Sequence, residues 1–332
     1  MRMLRVSPNS GVAARPFRPG RHSPVLWLAV ALIGLAGPGC SVRQFALHKL
    51  GDALSQSGTS FASDDDPDLI KDAAPFSLKL MESLLAETPR HTGLLLAAAS
   101  GFTQYAYAFV QEEADELEAR DLAAAGALRA RAKRLYVRAR DYGLRGLDVK
   151  HPGFEKSLRE NPRRALASAK KDDVPFLYWT AAAWASAVAL SKDNPDFVAD
   201  LPLAEALIDS ALELDEAFDD GAIHSFLIAY ESARPGGQGD FEKRSRKHFA
   251  RAMELSHGLQ AAPLVSLAET VAVKNQNVAE FKSLLDRALV VDANAKPEWR
   301  LVNLVMQRRA RWLLSRVEEL FLVADDPKEQ AK

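Results

Sequence analysis

The chain has 332 residues, of which 48% are hydrophobic and 26% are charged. This composition is typical of globular proteins and supplies enough apolar residues for a sizeable core or a row of packed repeats. The formal net charge is −1, and residues 1–39 hold arginines but no acidic residue, so the rest of the chain is mildly acidic. A mildly acidic body gives no support for nucleic-acid binding.

The N-terminus has the features of a targeting segment. Arginines precede the apolar run 25–36, whose length suits a signal peptide and is short for a membrane span of about 20 residues. Gly39 and Cys40 follow, and a small residue before a cysteine is typical of bacterial lipoprotein processing. We therefore predict a lipoprotein signal peptide over residues 1–39, acylation of Cys40 with chains such as palmitate, and a lipid-anchored segment over residues 40–63.

Two alternatives to this prediction are an uncleaved membrane anchor and a cysteine present by chance. Gly37 and Pro38 differ from the residues usual at these positions of a lipoprotein signal. Cys40 is the only cysteine in the sequence, so a disulfide within the chain is excluded. Ser41 stands where an aspartate often retains lipoproteins in the inner membrane, which favours the outer membrane and a periplasmic location.

The next elements in chain order are helical. Asp66 suits an N-cap and Pro67 the first helical position. Segments 94–110 and 176–190 are apolar on nearly all sides, which predicts two buried helices. Between them, segment 112–134 is charged and rich in alanine, which predicts a solvated helical extension or a long hairpin.

The second half of the chain continues this pattern. The pattern of segment 207–237 predicts the end of one helix, a turn at Asp219, Asp220 and Gly221, and the start of another helix. Pro297 begins a last amphipathic helix, and the tail 325–332 is polar. Because no segment alternates between apolar and polar residues with period two, we predict no β-sheet.

Several helices end with related residues, and this similarity predicts a repeat. The last two spacings between these ends are 41 and 36 residues, close to the length of about 34 residues in tetratricopeptide (TPR) repeats. We therefore predict an all-α fold in which TPR-like helix hairpins over residues 64–324 form an α-α superhelix, closed by the C-terminal amphipathic helix. The alternative is an unrelated α-bundle whose helices end alike by chance.

A search for catalytic motifs finds little. The HExxH, GxSxG and GxxxxGK patterns are absent from the sequence, and the histidines have no convincing spacing for a metal site. For His224 we favour a packed or hydrogen-bonded side chain over a metal ligand. We therefore predict a protein that is not an enzyme and that needs no cofactor or metal.

Aromatic side chains give the best candidates for a binding surface, because tyrosine and tryptophan combine an apolar ring with a polar tip. The alternative for each of them is packing in the core. The candidate ligand-binding residues are Phe102, Tyr105, Tyr107, Trp179 and Trp184. Beside a glycine-rich loop, Glu231 and Arg234 are candidate partner-binding residues, and the alternative for them is a solvated turn.

Seven segments together resemble the T component of tripartite ATP-independent periplasmic (TRAP) transporters. They are ESLLAETP (82–89), LLLAAASGFTQYAYAFV (94–110), LYWTAAAWA (177–185), ALELDEAFDDGAIHSFLIAYESARPGG (211–237), HFARAMELSHGLQAAPLVSLAE (248–269), QNVAEFKSLLDRAL (276–289) and QRRARWLLSRVEELF (307–321). The resemblance covers nearly the whole chain after the N-terminal segment. It implies a periplasmic lipoprotein with TPR-like hairpins.

The resemblance also implies partners. They are the solute-binding P component, membrane permease subunits and two further copies of the chain in a homotrimer, with a hydrophobic channel through each protomer. The implied cargo is a small hydrophobic or organic-acid-like ligand. Our leading hypothesis is a membrane-tethered binding module of this kind, and the alternative is a TPR scaffold for envelope protein assembly. Permease genes beside the gene favour transport, whereas envelope-assembly genes favour the scaffold.

Replacement of Cys40 tests the predicted lipid anchor. In Cys40→Ala the acyl chains cannot be attached, so we expect the protein to move from the membrane fraction to the soluble fraction. Cell fractionation followed by immunoblotting measures this change. Unchanged membrane association of the variant would exclude acylation of Cys40 as the sole anchor.

Overall fold

The computed structural model describes residues 39–56, 58–234 and 240–322. These residues form helices, turns and connections with no strand among them, which confirms the predicted all-α class. Residues from Leu47 onward form one compact unit. The predicted signal peptide, apart from Gly39, and the polar tail 325–332 lie outside the described residues. Cys40 lies in the first turn of the first helix, and its side chain is outside the description.

The described residues up to position 214 hold ten helices. They are α1 (Gly39–Ser55), α2 (Gly58–Ala62), α3 (Pro67–Glu87), α4 (Thr92–Leu117), α5 (Leu122–Lys150), α6 (Phe154–Glu160), α7 (Pro162–Leu166), α8 (Val174–Ala189), α9 (Pro195–Ala199) and α10 (Leu201–Leu214). Over the remaining described residues there are six more, namely α11 (Ala222–Tyr230), α12 (Phe241–Leu255), α13 (Ala262–Ala272), α14 (Val278–Leu289), α15 (Arg300–Ser315) and α16 (Val317–Leu320).

Local sequence signals explain where several helices begin. The Asp66 side chain accepts hydrogen bonds from the backbone N–H groups of Asp68 and Leu69 at 3.1 and 2.9 Å, as predicted for an N-cap. Asp121 caps α5 through the N–H of Ala124 at 2.9 Å. These caps satisfy backbone donors that have no partner inside the helix.

The turn before α11 has an unusual backbone. Asp219, Asp220 and Gly221 all have positive φ angles, of 45°, 49° and 98°. Aspartate tolerates this left-handed region better than most residues, and glycine adopts it without steric cost. The residues predicted to make the turn therefore make it.

Three details of the helix boundaries are set by packing and local turns. Helix α3 runs through Pro75 without a break, although proline cannot donate the usual hydrogen bond, and the nearby Ala74 and Leu78 are buried against the core. The short helices α6 and α7 connect α5 to the region before α8. Helix α15 ends at Ser315, and after the short α16 the Phe321 ring lies 5.0 Å from that of Phe281.

Helices that follow one another in the chain pack together. Helix α3 packs on α4, α4 on α5, α5 on α8 and α8 on α10, and the series α11 to α15 continues in the same way. This order is the one expected of stacked helix hairpins, and the α-α superhelix itself stays a prediction. Helix α15 also returns to the start of the unit, where Arg300 donates to the backbone carbonyl of Ser63 at 2.8 Å.

The contact between α5 and α8 depends on two glycines. A Cβ atom at Gly146 would lie 2.0 Å from the ring of Phe176, and one at Gly143 would lie 2.1 Å from Oγ1 of Thr180. Neither distance is sterically possible, so the two helices approach each other at van der Waals distance only because the side chain is absent.

Gly146→Ala tests this close approach. We expect the added methyl group to force α5 and α8 apart and to lower the free energy of unfolding by about 1–3 kcal/mol. The matched control is Gly126→Ala on the same helix, where a Cβ would meet nothing within 4 Å. Because alanine favours helix over glycine, the control should stabilise by up to about 1 kcal/mol. Urea denaturation followed by circular dichroism measures both, and an unchanged stability of Gly146→Ala would contradict the proposed contact.

Candidate functional site

The predicted ligand-binding aromatics are mostly packed inside the unit. Phe102 on α4 is 3% exposed, and its ring lies 6.1 Å from that of Tyr142. Tyr105 is also buried, and Arg131 donates to its hydroxyl at 3.5 Å. Tyr107 differs from both, since it is 37% exposed.

The two tryptophans lie on α8. Trp184 is fully buried, and the guanidinium carbons of Arg140 and Arg159 lie 5.2 and 5.5 Å from its ring centre. Trp179 is partly buried, and its ring is 4.9 Å from that of Tyr178. The five predicted aromatic residues therefore do not form one common exposed surface. A ligand-binding role for them stays a prediction.

Glu231 and Arg234 lie at the end of α11 and are engaged within the chain. Glu231 is 4% exposed and accepts from Arg234 at 2.8 Å and from Arg244. Arg234 also donates to Glu205 and Asp209 on α10 at about 2.9–3.0 Å. This network joins α10, α11 and α12, and a direct contact of Glu231 or Arg234 with a partner stays a prediction.

Two helices contain a π-helical turn, in which the hydrogen bond joins residues five apart. In α4 the turn covers Tyr107–Gln111, and the N–H of Glu112 donates to the carbonyl of Tyr107. In α13 the turn covers Ala268–Ala272. A π turn inserts one residue into a helix and redirects the side chains beside it, and such turns are frequent at functional sites.

Arg309 on α15 connects the π turn of α13 with the end of α4, beyond its π turn. Its Nε and Nη2 atoms donate to Oε1 of Glu269 in α13 at 2.9 and 2.7 Å. Its Nη2 atom also lies 3.1 Å from Oδ2 of Asp115 near the end of α4. Among the described residues the third nitrogen, Nη1, is buried and has no hydrogen-bond partner. The guanidinium group is thus bound through Nε and Nη2, whereas the N–H groups of Nη1 have no acceptor among the described residues.

Glu112, directly after the π turn of α4, is the most unusual charged residue of the unit. It is 1% exposed, and neither carboxyl oxygen has a hydrogen-bond partner within the described part of the chain. Burial, with the nearby charge of Glu269, raises the pKa of Glu112 to about 8, although Arg309 opposes the shift. Near neutral pH this carboxyl group is therefore mostly protonated and uncharged.

Tyr107 is a further member of this group. Burial, together with the charges of Glu112 and Glu269, raises the pKa of its hydroxyl well above the ordinary value. The residue as a whole is 37% exposed, so part of it reaches solvent. We call Tyr107, Glu112, Asp115, Glu269 and Arg309 the interior polar cluster.

A second polar group lies between α11 and α12. The Nδ1 atoms of His224 and His248 are 2.8 Å apart, and Nε2 of His224 lies 3.2 Å from Glu216, which confirms the predicted hydrogen-bonded role of His224. Burial lowers the pKa of both histidines, and that of His248 falls to about 4 with His224 beside it. No group of three or more metal-binding side chains occurs among the residues that the structure describes.

Helix α4 is also the one described helix long and apolar enough to cross a membrane by length and composition. However, 56% of its most apolar window is buried inside the unit, as in the core helix of a water-soluble domain. This property alone is therefore weak evidence for a membrane span.

Comparison with known proteins decides the family. The sequence profile described as "TRAP transporter T-component" matches residues 63–321, which is more than three quarters of the chain. The chain belongs to this family. An uncharacterised protein of Treponema pallidum (strain Nichols) is 27% identical over 302 residues, which cover 86% of this chain and 94% of the relative. The predicted resemblance is thus confirmed.

Family membership assigns the chain to a component of TRAP transport systems, with a periplasmic or membrane-associated role. The T-component profile covers every residue of the interior polar cluster. The sequence analysis singled out Tyr107 of this cluster and missed its charged members, since segment 112–134 was predicted to be a solvated helical extension or a long hairpin. One signal was present, because Glu112 continues the spacing of the buried residues Phe102, Tyr105 and Phe109 along α4.

Glu112→Gln tests the buried carboxyl group through the pH dependence of stability. The folded pKa of about 8 lies above the value of about 4.5 for an exposed glutamate, so wild-type stability falls as pH rises from about 4.5 to about 8 and then levels off. Glutamine cannot ionise, so the variant should lack this fall. We expect the stability difference between variant and wild type to shift by about 4 kcal/mol in favour of the variant between pH 5 and pH 9.

Urea denaturation of both proteins across this pH range measures the difference. The matched control is Glu113→Gln, next to Glu112 on α4 and 39% exposed, which should keep the wild-type pH dependence. Parallel stability curves for Glu112→Gln and wild type would show that Glu112 ionises normally in the folded protein.

Proposed function

We propose that the chain is a membrane-tethered T component that docks the solute-binding P component of its transport system and holds a small hydrophobic or organic-acid ligand. The observation that carries this proposal is the family match over residues 63–321, which covers nearly all of the described compact unit. The protein acts by recognition on a helical surface and without covalent chemistry.

The N-terminal sequence supports the tether. An arginine-rich start, the apolar run 25–36 and Cys40 follow one another as in lipoprotein signals. Acyl chains on Cys40 would hold the folded unit at the periplasmic face of a membrane, and Ser41 favours the outer membrane. We further propose that three copies associate, as the family resemblance implies.

Two features of the described unit support ligand handling. Tyr107 on α4 and Trp179 on α8, the partly exposed members of the predicted aromatic set, offer apolar contact area. The interior polar cluster adds hydrogen-bonding groups that the fold itself does not use. A ligand with an apolar body and a polar end would contact both kinds of group.

The arrangement of α10, α11 and α12 supports docking. Glu231 and Arg234 connect these helices through partly buried ion pairs with Glu205 and Asp209 on α10 and with Arg244 on α12. The proposed docking role of the two residues is to maintain the shape of this surface, since their charged groups are satisfied within the chain. Docking therefore requires the network to stay intact.

Binding to the P component is the direct test. We expect the purified full chain to co-elute in size-exclusion chromatography with the solute-binding protein encoded beside it, and calorimetry to give a saturable isotherm. A solute-binding protein from an unrelated transport system is the control and should elute separately. If the neighbouring solute-binding protein also elutes separately and gives no heat of binding, the docking proposal is wrong.

A further inference from the structure

Positive charge is concentrated in one part of the chain. Residues 129–171 hold 14 lysines and arginines and four acidic residues. The whole chain has 43 basic and 44 acidic residues, so the other residues after position 39 hold 24 basic and 40 acidic ones. A basic segment in an otherwise acidic protein produces a local positive field that attracts an anionic partner.

Helix geometry collects the arginines of this segment on one side of α5. Arg131, Arg134, Arg138 and Arg145 are separated by three, four and seven residues, and these spacings place them on the same face of an α-helix. All four side chains are exposed. We call these four arginines, together with the exposed Lys156 and Arg159 on α6, the basic face.

Two neighbouring grooves join the arginines of α5 to the basic residues of α6, and Arg145 lines both of them. The basic residues of the linings are Arg134, Arg138 and Arg145 in the first groove and Arg145, Lys156 and Arg159 in the second. The groove volumes of about 330 and 640 Å³ leave room for phosphate-sized groups. Arginine suits such groups, because its planar fork donates two parallel hydrogen bonds to phosphate oxygens.

The chain itself leaves part of this positive charge uncompensated. Arg131 donates to the neutral hydroxyl of Tyr105 at 3.5 Å, and Arg145 donates to the neutral carbonyl of Pro89 at 3.2 Å. Arg134 has no ion pair with any residue that the structure describes. Three acids also line the grooves and reduce the positive charge, namely Asp141, Asp148 and Glu155. The charges of the three arginines are nevertheless available to an anionic partner.

The predicted lipid tether joins the compact unit beside the basic face. Asp52 on α1 follows Cys40 by twelve residues, which span at most about 43 Å. Oδ1 of Asp52 lies 3.3 Å from Nε2 of His91. Two residues before His91 lies Pro89, which lines the second groove and accepts the hydrogen bond from Arg145. Acyl chains on Cys40 would therefore keep a membrane surface within reach of the basic face.

We propose that the basic face binds the phosphate groups of anionic phospholipids at the surface of the membrane that carries the acylated chain. The tether holds the chain at the membrane, and the arginines orient the unit with α5 and α6 against the lipid headgroups. A lipid anchor and a basic surface act together in this way, because electrostatic attraction adds to the burial of the acyl chains.

An acidic protein surface is the alternative occupant of the basic face. The tether favours the membrane, since it keeps the lipid surface near the face whether or not a protein partner is present. The location of the face at a membrane rests on the proposed tether. Its affinity for anionic lipid does not, and it can be measured without acylation.

Vesicle co-sedimentation tests the basic face in the absence of the tether. The chain from Ser41 onward lacks the predicted signal peptide and the acylation site and keeps the whole compact unit, which begins at Leu47. The vesicles contain either phosphatidylcholine alone or phosphatidylcholine with phosphatidylglycerol as about a third of the lipid. We expect binding to the anionic vesicles to be at least about tenfold tighter in about 0.1 M salt and this preference to be lost near about 0.5 M. Equal binding to both kinds of vesicle, or binding to neither, would overturn the proposal.

Charge-removing variants connect the binding to the named residues. Arg134→Gln combined with Arg145→Gln should weaken binding to the anionic vesicles at least about tenfold. The matched control is Lys282→Gln combined with Arg287→Gln, which removes two exposed charges on α14 that line neither groove. This control should bind within about threefold of the unmodified chain, because its charges lie outside the basic face. Equal weakening by both pairs would show that net charge alone attracts the vesicles and would contradict the assignment.

A single variant keeps the test decisive if the double variant folds poorly. Circular dichroism compares the helix content of each variant with that of the unmodified chain. Arg134→Gln removes a side chain that has no ion pair among the described residues, so it should fold normally and weaken binding about threefold. Unchanged vesicle binding of a folded Arg134→Gln would exclude Arg134 from the lipid contact and overturn the face as defined.

The outcome is separable from those of the docking and tether experiments. If the double variant binds vesicles like the unmodified chain but no longer co-elutes with the solute-binding protein, the basic face docks a protein and the membrane proposal is wrong. If the anionic vesicles bind as expected but Cys40→Ala stays in the membrane fraction after a wash in about 0.5 M salt, the basic face stands and acylation of Cys40 as the sole anchor is wrong.

Discussion

The fold depends on the burial of two helices, α4 and α8, that are apolar on nearly all sides. Such helices cannot lie at a surface, so other helices must surround them. Helices α3, α5 and α8 cover α4, and α5 and α10 cover α8. The glycines at the α5–α8 contact follow from the same constraint, because two enclosed helices must approach closely to leave no space between them.

The requirement for burial is weaker at the C-terminal end of α4, where the helix continues beyond its apolar stretch. From Glu112 onward the helix carries acids, and Arg309 on α15 pairs with Asp115 there and with Glu269 on α13. Arg309 thus compensates part of this negative charge, whereas burial raises the pKa of Glu112 to about 8, which favours its uncharged form near neutral pH. Charge compensation by an arginine and a retained proton therefore occur together at the end of the core helix.

Much of the fold could be predicted because its signals are local. The two apolar helices, the cap at Asp66 and the left-handed turn at Asp219–Gly221 each depend on a few neighbouring residues. The continuation of α3 through Pro75 could not be predicted, because burial of its neighbours outweighs the missing hydrogen bond. The family was predicted correctly from long similar segments.

The candidate site was harder to predict, and the reason is physical. A glutamate in a charged stretch usually faces water, so the charged sequence around Glu112 outweighed the signal from the spacing of buried residues along α4. Arg309 and its partners Asp115 and Glu269 lie on three different helices, so their proximity is a property of the tertiary fold. The same holds for Glu231 and Arg234, whose position beside a glycine-rich loop suggested exposure, whereas their partners on neighbouring helices enclose them.

The return of α15 to the start of the unit has a consequence for how the chain folds. The hydrogen bond from Arg300 to Ser63 joins residues 237 positions apart, and contacts of such long range form late and slow folding. Until α15 has packed against the rest of the unit, the acidic end of α4 lacks Arg309 and the first helices lack a neighbour. A copy truncated before α15 would therefore leave its core incomplete and these helices uncovered.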